Sequence, residues 1–200
     1  KAMSVGIEGF SNVFSKFKPD IIVVLGDRYE IFAAVIAASF YKIPIAHFHG
    51  GESTEGQIDE AIRHSITKMS HLHFVSTNHY KRRIIQLGEN PKNVFNIGEI
   101  GMDNIKNYEL FNKEELKKKL GIFFNKINLL ITFHPITLET NTSESHIKNL
   151  LKALSAQKNT NFIFTFSNAD PDNKIINICI KNFVKKNKKK SFAFTTLGRL

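Results

Sequence analysis

The residues best suited to chemistry crowd into one stretch. His47-Phe-His-Gly-Gly-Glu-Ser-Thr-Glu-Gly-Gln-Ile-Asp-Glu-Ala-Ile-Arg-His64 carries three His, one Arg, one Asp and three Glu within 18 residues. Carboxylates and imidazoles at this density suit proton transfer, and an Arg can hold or orient an anion beside them. Asp59 and Arg63 are four apart, as are Glu60 and His64, so each pair can meet on a helix surface. Two solvated ion pairs, worth roughly 0.2–0.5 kcal/mol each, are the plainer use of the same residues. Place favours chemistry. The stretch follows an apolar run at 43–46 and turns at Gly50 and Gly51, and open α/β sheets bind ligands at such strand ends. Asp27 and Arg28 stand in the same position, just after the apolar run 21–25.

The elements that must position these groups follow from periodicity. Met3, Ile7, Phe10, Phe14 and Phe17 have helical spacing, and Pro19 ends that helix. The run 21–25 reads as a strand buried on both faces. An Ala-rich helix over 29–41 and a strand from 43 complete a right-handed βαβ unit, which puts Asp27 and His49 on one rim of a parallel sheet. In the next helix Ile58, Ala61, Ile62, Ile66 and Met69 form an apolar stripe. A strand at 72–76, a helix at 80–87 stopped by Gly88, a strand at 94–97 and a turn at Gly98 and Gly101 follow. His73 is expected as a residue at the core edge, not a ligand.

Periodicity fails over 105–111, and a boundary is placed there, giving domains 1–108 and 109–200. Asn112 with Glu115 predicts a capping box. Strands are expected at 126–133, ending at His134-Pro135, at 161–166, ending at Ser167-Asn-Ala-Asp170, and from 191. A helix covers 143–157, and another starts at Pro171 with Asp170 as its cap. Both halves alternate strand and helix, which predicts two doubly wound halves with a ligand cleft between them.

Composition limits the function classes. Hydrophobic content of 42% and charged content of 23% are those of an ordinary globular chain. No apolar run approaches the roughly 20 residues of a membrane helix, and Lys1-Ala-Met-Ser does not read as a signal peptide. One Cys excludes internal disulfides and suits a reducing cytoplasm. The net charge of +10 would fit a polyanion partner. Much of it lies in Lys runs at 117–119 and 185–190, which read as solvated helix ends, so nucleic acid is not expected. No His/Cys cluster has zinc spacing, and no Gly-rich nucleotide loop is present.

Five motifs in order resemble a known family. Lys18-Pro-Asp-Ile-Ile-Val-Val-Leu-Gly-Asp-Arg28, His47-Phe-His-Gly-Gly-Glu52, Asp59-Glu-Ala-Ile-Arg-His64, Phe133-His-Pro135 and Ser167-Asn-Ala-Asp170 together look like the hydrolysing UDP-N-acetylglucosamine 2-epimerases of sialic-acid and related nonulosonic-acid biosynthesis. The resemblance implies an α/β fold of two Rossmann-like domains, GT-B-like, both incomplete here. Family members are close to twice as long. Their first strand and phosphate loop would precede Lys1, and their Ser/Gly-rich diphosphate loop would follow Leu200, so an internal fragment is expected.

The resemblance also implies a reaction and its residues. UDP leaves C1 as the C2 proton is removed, and water adds to the glycal with inverted C2 stereochemistry. The partner is a UDP-sugar, no redox cofactor or obligatory metal is required, and the full-length protein is expected to be a homo-oligomer in the cytoplasm. Asp27 is the first acid/base candidate. Glu52, Asp59 and Glu60 supply further carboxylates. His49 stands where some relatives carry Glu, and Arg63 orients Asp59 or touches substrate. Arg28, His64 and Asn168 are candidates for the UDP-sugar, and His134 for both catalysis and the diphosphate. A GT-B glycosyltransferase, or a non-catalytic module binding a nucleotide sugar or polyanion, is the competing reading.

Overall fold

The computed structural model describes residues 1–168, 170 and 172–198. The chain divides into two compact units, Lys1–Tyr108 and Glu109–Leu200. In the first, four short strands alternate with helices: α1 (Ala2–Phe17), β1 (Ile22–Leu25), α2 (Tyr29–Phe40), β2 (Ile45–Phe48), α3 (Asp59–Met69), β3 (Leu72–Val75), α4 (Asn78–Gln86), β4 (Val94–Asn96) and α5 (Gly101–Asn107). The strands are parallel in the order β1-β2-β3-β4. Each crossover returns on the same side, as in one half of a doubly wound sheet.

The register fixes which residues share a face. Val24, His47, His73 and Val94 lie side by side across the strands, and side chains two apart on a strand face the same way. The buried residues Val24, Ile45, Val75 and Val94 therefore all project toward the helices, where Phe14 of α1, Val35 and Ala38 of α2, Ile66 of α3 and Ile84 of α4 meet them. The opposite face carries Leu25, Phe48, Phe74 and Phe95 in one row, with the three rings stacked at 4.6 and 5.4 Å.

That arrangement corrects the expectation for β1. Its apolar run does not mark burial on both faces, because Val23 is 67% and Leu25 51% exposed. Both project from the face opposite the one on which the helices of this unit pack. Strand β2 begins at Ile45 and runs to Phe48, so His47 lies inside the strand. The stripe on α3 is also shifted. Ile66 is fully buried and Ile62 and Met69 pack against the core, but Ile58 is 53% exposed and Ala61 is exposed. Arg63 and Thr67 are buried in their place. The sheet-facing side of α3 is part polar, which an apolar period does not reveal. Phe17, counted in the α1 stripe, is exposed. The turn expected at Gly101 is instead the short helix α5, which buries none of its residues and so shows no amphipathic signal.

The second unit holds α6 (Lys113–Leu120), β5 (Ile127–Thr132), α7 (Ser143–Ser155), β6 (Thr160–Thr165), α8 (Asn173–Lys186) and β7 (Ser191–Phe194). Its strands are parallel in the order β5-β6-β7. Phe162 and Phe164 of the central strand meet Ile147 and Leu151 of α7 and Ile176, Ile180 and Phe183 of α8. Asn112 caps α6 with Glu115 returning to its backbone N–H, a complete capping box. Helix α8 starts at Asn173 with Asp172 before it, so Asp170 is not its cap. Pro171, expected at the first helical position, lies outside the described residues.

The corrected stripe makes a stability prediction. Ile66→Ala should lower the unfolding free energy of the first unit by about 2–5 kcal/mol, the cost of emptying a filled core position. Ile58→Ala should stay within about 0.5 kcal/mol, as exposed positions do. Urea unfolding followed by circular dichroism checks both, and equal losses would overturn the packing described for α3.

Candidate functional site

The centre of the site is a buried cation. Arg63 is 3% exposed, and a buried guanidinium is tolerated only when its charge and its N–H groups are matched. Its Nη2 donates to Asp27 Oδ2 and to Thr54 Oγ1 at 3.0 Å. Its Nη1 donates to Glu60 Oε2 at 2.9 Å and to the Glu52 carbonyl at 3.1 Å. These partners come from the end of β1, the loop after β2 and the first turn of α3. One side chain thus ties three segments together.

Glu60 is saturated. Oε2 also accepts the Thr54 backbone N–H at 2.6 Å, and Oε1 accepts the Ser53 hydroxyl at 3.0 Å. His64 Nε2 lies 3.1 Å from Oε1. Burial alone would raise its pKa, but the Thr54 amide, the Ser53 hydroxyl and His64 together hold the carboxyl below its ordinary value. With both oxygens engaged by four donors, this carboxylate organises the loop.

Asp27 differs. Its Oδ2 binds Arg63, while Oδ1 meets no hydrogen-bond donor among the described residues. Glu52 is similar: Oε1 faces His49 Nδ1 at 2.9 Å and the Ser76 hydroxyl at 3.4 Å, and Oε2 is open among the described residues. His49 sits between two carboxylates, because its Nε2 lies 3.7 Å from Glu99 Oε1. It does so from a left-handed backbone, φ 62°, which is uncommon for a residue with a side chain. Asp59 opens α3 one turn before Arg63. Arg28 precedes α2, with its Nε 3.3 Å from Glu30 Oε2.

The turn at Gly50 and Gly51 is required by close approach. A Cβ on Gly50 would sit 2.9 Å from His47 Nδ1 and 3.0 Å from Thr67 Oγ1, and one on Gly51 would sit 2.6 Å from the Tyr80 carbonyl. Gly51 also has φ 76°, and its carbonyl accepts a bond from Arg83 Nη1. The loop is therefore pressed onto both α3 and α4, which leaves His49 and Glu52 little freedom.

In the second unit His134 Nδ1 is 3.7 Å from Asp170 Oδ2, and Asn168 is exposed. Asp172 accepts a bond from Ser143 Oγ at 3.0 Å. Among the described residues no group of three or more His, Cys, Asp or Glu is placed to hold a metal ion, and no helix is long and apolar enough to cross a membrane.

Comparison with known proteins decides the family. The family model for UDP-N-acetylglucosamine 2-epimerase matches residues 1–200. The chain belongs to that family. A GDP/UDP-N,N'-diacetylbacillosamine 2-epimerase (hydrolyzing) of Campylobacter jejuni is 46% identical over 198 residues, 99% of this chain and 52% of the relative. The polysialic acid biosynthesis protein P7 of Escherichia coli is 50% identical over 188 residues, 94% of this chain and 48% of the relative. The chain thus spans about half the length of the curated relatives it matches. In fold it is similar to the crystal structure of the UDP-GlcNAc 2-epimerase from Neisseria meningitidis bound to UDP-GlcNAc, with TM-score 0.75, 20% identity, and coverage of 97% of this chain and 54% of that one. Such epimerase structures have the GT-B architecture, and the parallel α/β units described above are its parts.

In this epimerase-family chain the structure brings Asp27, Glu60 and Arg63 into one network, with His64 attached, and His49 and Glu52 into an adjoining pair. Sequence reading missed Thr54, Ser53, Ser76, Arg83 and Glu99. Glu99 was within reach, since it follows β4 as Asp27 follows β1. The hydroxyls were not, because nothing in their spacing marks them.

His47 gives a pH prediction. Burial lowers its pKa from 6.5 to about 4, only partly opposed by its bond to the Gly26 carbonyl. The unfolded state then binds the extra proton first, so stability falls as pH drops from 6.5 toward 4. Urea midpoints of the wild type should fall through that window more steeply than those of His47→Gln. Parallel slopes would show that His47 does not titrate as described.

Proposed function

We propose that the protein containing this chain is a hydrolysing 2-epimerase of a UDP-linked N-acetylated hexosamine, releasing UDP and the free manno-configured N-acetyl sugar. The first unit is its N-terminal Rossmann-like domain and the second its nucleotide-binding domain. The observation that carries the reading is the pair of carboxylates with open oxygens, Asp27 and Glu52, held in place by Arg63 and His49. Elimination α to an anomeric centre needs a fixed base near C2 and a proton donor near the leaving oxygen, and this cluster has the groups for both. Two relatives, the GDP/UDP-N,N'-diacetylbacillosamine 2-epimerase (hydrolyzing) at 46% identity and a UDP-N,N'-diacetylbacillosamine 2-epimerase (hydrolyzing) of Legionella pneumophila at 34%, support the same class and favour a 2,4-diacetamido sugar.

In the first step a carboxylate, Asp27 in this reading, takes the C2 proton. The C2–H electrons form the C1–C2 double bond as the C1–O bond breaks and UDP departs. In the second step water adds its oxygen to C1 while a proton is delivered to the opposite face of C2. His49, between Glu52 and Glu99, can pass that proton. Glu60 and Asp59 fix the loop and the start of α3. Arg28, His64 and Asn168 bind the UDP-sugar, and His134 meets the diphosphate.

The test uses the complete protein that carries these residues. Asp27→Asn keeps shape but removes the base, so kcat should fall by roughly 10²–10⁴-fold with nucleotide binding nearly intact. Arg28→Ala should raise KM, because a phosphate partner acts throughout the reaction. In D₂O the released sugar should carry deuterium at C2. Product unlabelled at C2 would point to a glycosyltransferase or simple hydrolase and overturn the proposal.

A further inference from the structure

His47 is a fully buried polar residue that the reaction above does not use. It sits in the middle of the unit, between β2 and α3, on the face of the sheet that packs against the helices. Its Nε2 lies 2.8 Å from the Gly26 carbonyl and its Nδ1 3.3 Å from Thr67 Oγ1. The Thr67 hydroxyl also lies 3.0 Å from the Arg63 carbonyl. Gly26 immediately precedes Asp27, so the imidazole touches the backbone behind the open carboxylate and, through one hydroxyl, the backbone behind the buried guanidinium.

We propose that His47 is a positioning residue for the reaction assigned above: it braces the Gly26 peptide against α3 and thereby sets the Asp27 carboxylate on the Arg63 guanidinium. The inference rests on that reading of Asp27. The chemistry of the contacts fixes how it works. A carbonyl can only accept, so Nε2 must carry the proton and donate to Gly26. With the ring neutral, Nδ1 is then a bare acceptor, and the Thr67 hydroxyl donates to it while sharing its proton with the Arg63 carbonyl. The preceding peptide is held as well, since the Gly26 N–H donates to the Phe48 carbonyl at 3.0 Å.

The space around the ring is built for this role. Gly26 has φ 82°, so the chain turns sharply at the point where His47 grips it. Gly50 has no Cβ, and one there would meet the imidazole at 2.9 Å. Burial of an imidazole without its bonds to the carbonyl and the hydroxyl would be costly. With them it sets a turn and a helix in register at the atoms that flank the acid/base pair.

The experiment is a double-mutant cycle in the complete protein, read as kcat and KM for the UDP-sugar. His47→Leu removes both bonds and should lower kcat roughly 10–100-fold, the usual cost of losing an orienting group behind a functional one, with KM changed by less than about threefold. His47→Gln, which can still donate to Gly26, should recover most of the loss. In an Asp27→Asn background His47→Leu should cost less than about twofold further, because a positioning residue has nothing left to position. An equal loss in both backgrounds would mean general structural damage and overturn the inference. Thr67→Val, nearly isosteric, gives the same cycle with a smaller loss if His47→Leu does not fold. A silent Asp27→Asn would overturn the reading of the site and this inference with it. A damaging Asp27→Asn with an additive His47→Leu overturns the inference alone.

Discussion

A buried guanidinium organises the first unit. Moving an arginine out of water costs several kcal/mol unless charge and hydrogen bonds are restored inside. Arg63 recovers them from Asp27, Glu60, Thr54 and the Glu52 carbonyl, four groups on three segments. The rest follows from that demand. β1 must end where Asp27 reaches α3. The loop after β2 must fold back so that Glu52 and Thr54 present oxygens to the same fork. The loop can do so only because Gly50 and Gly51 let it lie against His47, Thr67 and the α4 backbone. Removing one partner would leave the charge short of its match, so the network is a constraint on the fold as much as a part of the site.

The alternation of strand and helix was legible in the sequence because β2, β3 and β6 are central strands flanked by helices that show their apolar faces. Strand ends marked Asp27 and His49 for the same reason. The failures have physical causes. β1 reads like a strand covered on both faces, but an apolar run reports propensity, and Val23 and Leu25 lie on the face that the helices of this unit leave uncovered. The sheet-facing side of α3 was misplaced by part of a turn because Arg63 and Thr67 occupy it, and a polar residue buried through long-range bonds breaks the apolar period. The Arg63 partner of greatest consequence, Asp27, is 36 residues away. Local spacing pointed to Asp59 instead. His47 was seen as the first residue of a reactive stretch, yet its ring turns inward from mid-strand, and only the strand register reveals it.

The charge balance within the site bears on how a UDP-sugar would lie in it. Asp27, Glu52, Glu60 and Glu99 supply four carboxylates, against one guanidinium and the imidazoles of His49 and His64. A diphosphate brought onto this cluster would meet mainly like charge, which in a partly buried setting is unfavourable. The neutral sugar ring would not. On the proposed reading the cluster therefore faces C1 and C2, and the diphosphate is carried by cationic or neutral groups outside it, of which Arg28 and His134 are the nearest in kind. That division has a chemical consequence. Negative potential at C2 disfavours carbanion character there, so proton removal must run together with departure of the anionic leaving group. The cations that hold UDP then contribute to the barrier for breaking C–H. On that reading the change from acid/base to phosphate group falls between neighbours, Asp27 and Arg28, and the elimination asks that both kinds of group act on one pair of adjacent carbons in one step.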